Sequence, residues 1–242
     1  MKQNIQAKAV DKTDILVFSP HPDDDVIGCG GLIALETLRG NSAGIFYLTS
    51  GDRGIPGKSR EETIDIREKE AKDSVSVLGA CVLGFLRWKD ACLQYDPEKV
   101  DKITEIILQY EPKIILFPHP GEEHPDHRAT AEIVMEAVRR AMSGYMQKTH
   151  RPDISLMYEV WTPISRPHVV VDITSVMEKK RTAIQKHRSQ VFLIDYSLAV
   201  EGLNRYRGTM SATGQYGEAY LINHMDSHIV LDVASAPCQK NL

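Results

Sequence analysis

From residue 13 to about residue 145, short apolar runs alternate with longer amphipathic segments, and that alternation constrains the chain more than any other feature. Parallel strands need a crossover between them, normally a helix, so the pattern specifies an α/β fold on a mostly parallel sheet. Ile15 to Ser19 reads as a buried strand, Val26 to Leu38 as a helix, Gly44 to Thr49 as a strand and Glu61 to Leu78 as a charged helix. The alternation continues with Cys81 to Leu86, Pro97 to Tyr110, Lys113 to Pro118 and Asp126 to Met142. Beyond Arg151 it loosens to strands at Ser155 to Trp161 and His168 to Asp172, a helix at Ser175 to His187 and a last strand at Ala219 to Ile222. The expectation is one Rossmann-like domain over residues 1–242, with helices on both faces of the sheet. Its core spans about 13–145, and 151–232 completes sheet and site. The Gly-containing loop Ser50 to Arg60 is expected to be mobile and the tail after Asp232 disordered.

Composition removes several classes of function. Lys and Arg number 29 against 33 for Asp and Glu, a formal charge of −4 that offers no electrostatic footprint for nucleic acid. Cys29, Cys81, Cys92 and Cys238 stand far apart without a C-x-x-C pair, which argues against a thiolate metal site or a disulfide scaffold. The opening MKQNIQAKAVDKTD has no apolar core of a signal peptide. No stretch reaches the roughly 18 uninterrupted apolar residues of a membrane span. A cytoplasmic protein with no membrane or nucleic-acid partner is expected.

Ligands in open parallel sheets bind outside the carboxyl ends of the strands. Three polar segments follow strands there: His21-Pro22-Asp23-Asp24-Asp25, Thr49 to Gly54, and His119 to His127. Capping a helix needs one carboxylate, whereas the first segment supplies three and an imidazole. The last contains GEEHPDHRAT, which adds His124, Asp126 and His127 at a second strand-to-helix junction on the same edge. Neutral imidazoles and carboxylates suit a catalytic zinc, which takes three protein ligands and keeps a fourth position for water.

These residues resemble the zinc-dependent de-N-acetylases of the PIG-L and LmbE-like type. The hallmarks are a His-Pro-Asp-Asp-Glu turn, here His21 to Asp25, and a His-x-Asp-His segment, here His124 to His127. Weaker matches are Thr49 to Gly54, the pattern Arg67, Glu70 and Ala71 ahead of Leu78-Gly79, and the H-x-S-Q string His187 to Gln190. The resemblance implies one Zn2+ per chain, other divalent metals being compatible with the donors, held by His21, Asp24 and His127. It implies Asp23 as general base, His124 as oxyanion stabiliser or acid, and Asp126 as the partner that orients the His124 ring and raises its basicity. Asp23 and His124 both remain open as the proton donor to the departing amine. Asp25 departs from the usual Glu, so a contact from that position is one methylene shorter. The implied substrate is a small molecule, an N-acetylglucosamine unit in a glycoside conjugate, and the implied assembly a homo-oligomer. Arg53, His187, Gln190 and Tyr216 are the expected substrate contacts.

The competing readings are a deacetylase of free N-acetylglucosamine, a chito-oligosaccharide or a non-sugar amide, a non-catalytic sugar- or nucleotide-binding module, and a nucleotide-dependent enzyme. Gly28 and Gly30 begin a dinucleotide fingerprint, but Ile33 occupies the place of its last glycine, so close helix-to-sheet packing explains these glycines better. Cys29 has no paired base and reads as a small buried residue.

Overall fold

The computed structural model describes residues 12–227, so the segment before residue 12 and the tail after Asp232 lie outside the described residues. The first strands are almost wholly apolar and buried on both faces: β1 (Ile15–Ser19), β2 (Ala43–Thr49) and β4 (Ile114–Pro118). Continuous apolar runs of this kind belong to central parallel strands covered on both sides. β3 (Cys81–Trp88) forms one edge. The others are β5 (Ile154–Tyr158), β6 (Val169–Asp172) and β7 (Gly217–Met225). The seven-stranded sheet runs β3-β2-β1-β4-β5-β7-β6, with β7 antiparallel to both its neighbours and the other pairs parallel.

The helices lie on both faces. α1 (Asp24–Leu38), α2 (Arg60–Leu78) and α5 (Met177–Ile184) bury Val26, Ile33, Leu78 and Ile184 with one apolar cluster. α7 (Tyr196–Ser211) adds Val200 to it. On the other face α3 (Pro97–Tyr110) and α4 (Pro125–Ser143) pack Ile103, Ile107, Ile133 and Val134 against Leu16, Phe18 and Phe117. The predicted helix Ser175 to His187 is a 3-10 turn followed by α5, and the short α6 (Arg188–Val191) comes after it. α7 is an element the alternation does not reveal.

Two features of α1 prepare the site. Its backbone breaks at Cys29, where φ is −139° and ψ 16°. The carboxylate of Glu218 on β7 accepts the amide N–H groups of Gly31 (2.7 Å) and Leu32 (2.8 Å) just beyond the break, while Lys180 Nζ (2.6 Å) and Tyr220 Oη (2.6 Å) also donate to it. Gly28 is required by close packing, since a Cβ there would lie 2.2 Å from the Tyr158 ring. After β1 the chain turns to β2 on one side and later returns to β4 on the other. The reversal of strand order at the β1/β4 boundary opens a crevice at their carboxyl ends.

Candidate metal centre and cleft

The turn after β1 is organised by Ser19. Its hydroxyl donates to the His21 carbonyl (2.8 Å) and accepts from the Asp25 amide (3.1 Å). Asp23 occupies the cap position of α1, but its side chain makes no capping hydrogen bond and its φ is +137°. A non-glycine residue in that region is strained at a cost of order 1–3 kcal/mol, so the surroundings must hold it. Arg67 does so from α2, donating to the carbonyls of Pro22 (2.8 Å) and Gly51 (3.2 Å) and lying 3.1 Å from Asp23 Oδ2. Gly51, with φ of +59°, leaves room for that guanidinium, because a Cβ there would fall 1.9 Å from it. Burial drives the Asp23 carboxyl up to about 7 against the pull of Arg67.

Asp24 is the pivot of the cluster. Its Oδ2 lies 3.0 Å from His21 Nδ1 and 3.1 Å from His127 Nε2, and it also accepts the His21 amide. The two imidazoles hold its carboxyl far below the usual range although burial opposes this. His127 is fully buried between the carboxylates of Asp24 and Glu122, yet neither ring nitrogen makes a hydrogen bond of good geometry with them. Buried ring nitrogens so poorly bonded are costly, and coordination of a cation would remove that cost. The donor set fits a divalent metal on that observation. Among the described residues, His21, His124 and His127 each bring one ligand atom within 4.8 Å of the others, as do His21, Asp90 and Asp126.

Three carboxylates define the surroundings, and two were not anticipated. Glu122 is buried with its oxygens 3.5 Å from His119 and 3.4 Å from His127 Nδ1, and it accepts the amides of Val160 (2.7 Å) and Trp161 (3.2 Å). Burial raises its carboxyl, but the contacts with His119 and His127 bring it down to about 2. Asp90 lies 3.2 Å from His21 Nε2 and accepts the Arg53 amide. Asp126 corrects the sequence expectation: its carboxylate accepts the amides of Ala91 (2.7 Å) and Leu93 (3.0 Å) and lies 3.2 Å from His21 Nε2, without touching the His124 ring. What reaches that ring is the Asp126 backbone, whose N–H donates to His124 Nδ1 (3.2 Å). Because Nδ1 accepts, a neutral His124 carries its proton on Nε2. Burial and the neighbouring His21 and His127 lower the His124 pKa, outweighing the upward pull of the Asp24 and Asp126 charges.

Asp25 reaches the Tyr47 hydroxyl (3.0 Å), while its Oδ1 is buried without a partner. The shorter side chain thus satisfies one oxygen only, and burial carries its carboxyl up to about 7.

A cleft of about 470 Å³ opens over these groups, lined by His21, Asp23, Asp24, His124, Arg53 and Gln190. Arg67, Asp90, Trp161, Ile194 and Tyr196 also line it. Of the four expected substrate contacts, the structure brings Arg53 and Gln190 to the cleft. The Arg53 guanidinium makes no hydrogen bond or ion pair with any described residue, and Gln190 Nε2 donates to the Gly54 carbonyl (3.2 Å). His187 is buried outside the lining, both nitrogens unpartnered, and burial together with the Arg67 charge lowers its pKa to about 3. Tyr216 is away from the cleft, its hydroxyl donating to Glu201 (3.1 Å) and accepting from Arg205. Tyr196 and Trp161 take the aromatic place instead, with ring centroids 4.9 Å apart. The loop expected to be mobile is pinned at its start, by Ser50 to Glu68, Arg67 to Gly51, Asp90 to Arg53 and Gln190 to Gly54. Among the described residues no helix is long and apolar enough to cross a membrane.

The chain matches the family described as PIG-L, GlcNAc-PI de-N-acetylase, over residues 16–138, from β1 into α4. It is 35% identical over 187 residues to a probable N-acetyl-alpha-D-glucosaminyl L-malate deacetylase 2 of Bacillus cereus, covering 73% of this chain and 83% of the relative. The solved N,N'-diacetylchitobiose deacetylase of Pyrococcus horikoshii, in complex with its inhibitor MPG, superposes with a TM-score of 0.79 at 28% identity, covering 91% of this chain and 89% of that one. A 4-oxalmesaconate hydratase of Pseudomonas putida is 27% identical over 203 residues, 75% of each chain. The shared scaffold therefore does not by itself fix the reaction, which has to be read from the site.

Proposed function

The chain belongs to the PIG-L family of de-N-acetylases, and from that premise we propose that it hydrolyses the N-acetyl amide of an N-acetylglucosamine unit in a glycoside conjugate. The observation that carries this reading is the convergence of His21, Asp23, Asp24 and His124 on one cleft at the switch in strand order, with His127 buried behind it 3.1 Å from Asp24. His21, Asp24 and His127 would hold a divalent metal, Zn2+ by the chemistry of the donors. When bound, it supplies a more acidic water and a polarised carbonyl.

Each remaining task falls to a residue of the cleft. Asp23 faces it with a carboxyl pushed up to about 7, suited to take a proton from the attacking water. Arg67 and the strained backbone fix where that carboxyl stands. As water adds to the carbonyl carbon, negative charge collects on the carbonyl oxygen. His124, neutral and protonated at Nε2, stabilises it as a hydrogen-bond donor. The C–N bond then breaks as the nitrogen receives the proton returned by Asp23, releasing acetate and the free amine. Arg53 offers an unpaired cation at the cleft edge for an anionic aglycone, and Gln190 an amide for sugar hydroxyls. A binding module would not need a strained carboxylate beside a metal-ligand set, which favours the enzyme reading.

The test is acetate release from N-acetylglucosamine glycosides together with metal content. Asp23→Ala is expected to retain metal and lose turnover by about 10²-fold or more. His124→Ala should also retain metal, while His127→Ala should lose it. Metal lost in His124→Ala but kept in Asp24→Ala would replace the assigned ligands by the three-imidazole set.

A further inference from the structure

Beside the cleft lies a second cavity of about 240 Å³ that the reaction described above does not use. Its lining is chiefly apolar, including Ile27, Val160, Pro163, Val200, Leu203 and Ala219, and it shares Trp161 and Tyr196 with the cleft. Those two rings stand edge to face between the two spaces. Ile27 and Gly28, which also line it, are three and four positions after Asp24 on α1. Residues so spaced share one helix face, so the cavity begins about one turn below the carboxylate at the centre of the metal set.

The polar atoms of this cavity define what it can take. Glu159 is saturated, with Arg207 donating through Nε (3.0 Å) and Nη2 (2.6 Å) and the Ile164 amide adding a third bond (2.6 Å). Asn204 donates to the Gly217 carbonyl (2.9 Å), but its Oδ1 is buried with no partner. Asn204 Oδ1 and the polar tips of Trp161 and Tyr196 are therefore what the cavity offers a hydroxyl or a water, and a sugar ring would leave several hydroxyls unpaired, at about 1–3 kcal/mol each on protein-derived values. The sugar belongs in the polar cleft with Arg53, Asp90 and Gln190. The other substituent of the scissile amide is the acyl group.

Resting on the reading of the chain as an N-deacylase, we infer that this cavity is an acyl pocket, and that the enzyme accepts N-acyl groups longer than acetyl by seating the chain behind Trp161 and Tyr196. At ~30 Å³ per water, its volume equals about eight water molecules, room for several methylenes.

The experiment compares N-acetyl, N-butyryl and N-hexanoyl glucosamine methyl glycosides with the phenyl glycoside of N-acetylglucosamine. The proteins are the metal-loaded wild type and two pocket-filling variants, Ala199→Trp and Leu203→Trp. Ala199 is an exposed lining residue on α7, so the larger side chain can be added without disrupting the core. Hexanoyl turnover within about tenfold of acetyl or better is expected, and each variant should lower the hexanoyl-to-acetyl ratio by about tenfold or more. A ratio unchanged by both variants, or a loss confined to the phenyl glycoside, overturns the assignment. Calorimetric binding of N-hexanoyl against N-acetyl glucosamine to the Asp23→Ala protein is read in parallel. Tighter hexanoyl binding that Ala199→Trp removes supports the pocket, and equal binding overturns it. Absence of acetate release with zinc bound is instead the failure of the deacetylase reading.

Discussion

Replacing Glu218 by Gln changes almost no volume, yet it should destabilise the protein by several kcal/mol. Four donors converge on this carboxylate at 2.6–2.8 Å, the amides of Gly31 and Leu32, the Tyr220 hydroxyl and the Lys180 ammonium. Lys180 is 0% exposed and Glu218 1%. Glutamine accepts through one oxygen only and turns an NH2 group toward donors on the other side. It also leaves the buried ammonium without a counter-charge. Breaking a buried pair while one charge remains costs about 3–5 kcal/mol. For a chain of this length, at ~2–4 °C per kcal/mol, that is a fall in Tm of about 6–20 °C. Urea unfolding followed by circular dichroism measures the free energy, provided the transition is two-state. Lys180→Met combined with Glu218→Gln removes the stranded charge, so the double variant should be no less stable than Glu218→Gln alone. A loss below about 1 kcal/mol in the single variant would refute the reasoning, since Lys180 would then have another source of compensation.

Two further outcomes follow from the site. Glu122→Gln should weaken divalent-metal affinity about 10–100-fold, because Glu122 backs the Nδ1 side of His127. An unchanged competition titration would remove it from the metal environment. Tyr216→Phe should leave kcat/KM within about twofold, as its hydroxyl meets only Glu201 and Arg205. A larger fall in kcat/KM would restore it as a substrate contact.

The strand–helix alternation was legible through α4 because the strands there are largely apolar runs, each followed by a longer segment with charged residues on one side. α7 escaped because its apolar residues do not follow one face. Leu198, Tyr206 and Met210 are exposed, while Asn204 and Arg207 are buried on polar contacts. The residues of the proposed metal set stood out as motifs, since histidine and aspartate crowd into two short turns. Asp90 and Glu122 were not, because a lone acid in a loop has the same local signature whether it faces solvent or an imidazole. Glu122 had one faint signal, its place two residues ahead of His124. The expected Asp126–His124 pairing failed through helix geometry. Asp126 lies in the first turn of α4, where its amide faces the ring at the cap and its carboxylate reaches across to Ala91 and Leu93.

The position of β7 also governs how the chain is made. β7 fills the gap between β5 and β6, and β6 joins the sheet through β7 alone. While residues 217–225 are still unsynthesised, β5 presents its unpaired amides and carbonyls to water, a template on which another nascent chain can dock. At ordinary elongation rates the delay between completing β5 and completing β7 is on the order of several seconds. Through that interval the growing polypeptide holds all five residues of the proposed catalytic cluster but has no strand to close its open edge. Its yield in a cell will therefore depend on what shields that edge before β7 arrives.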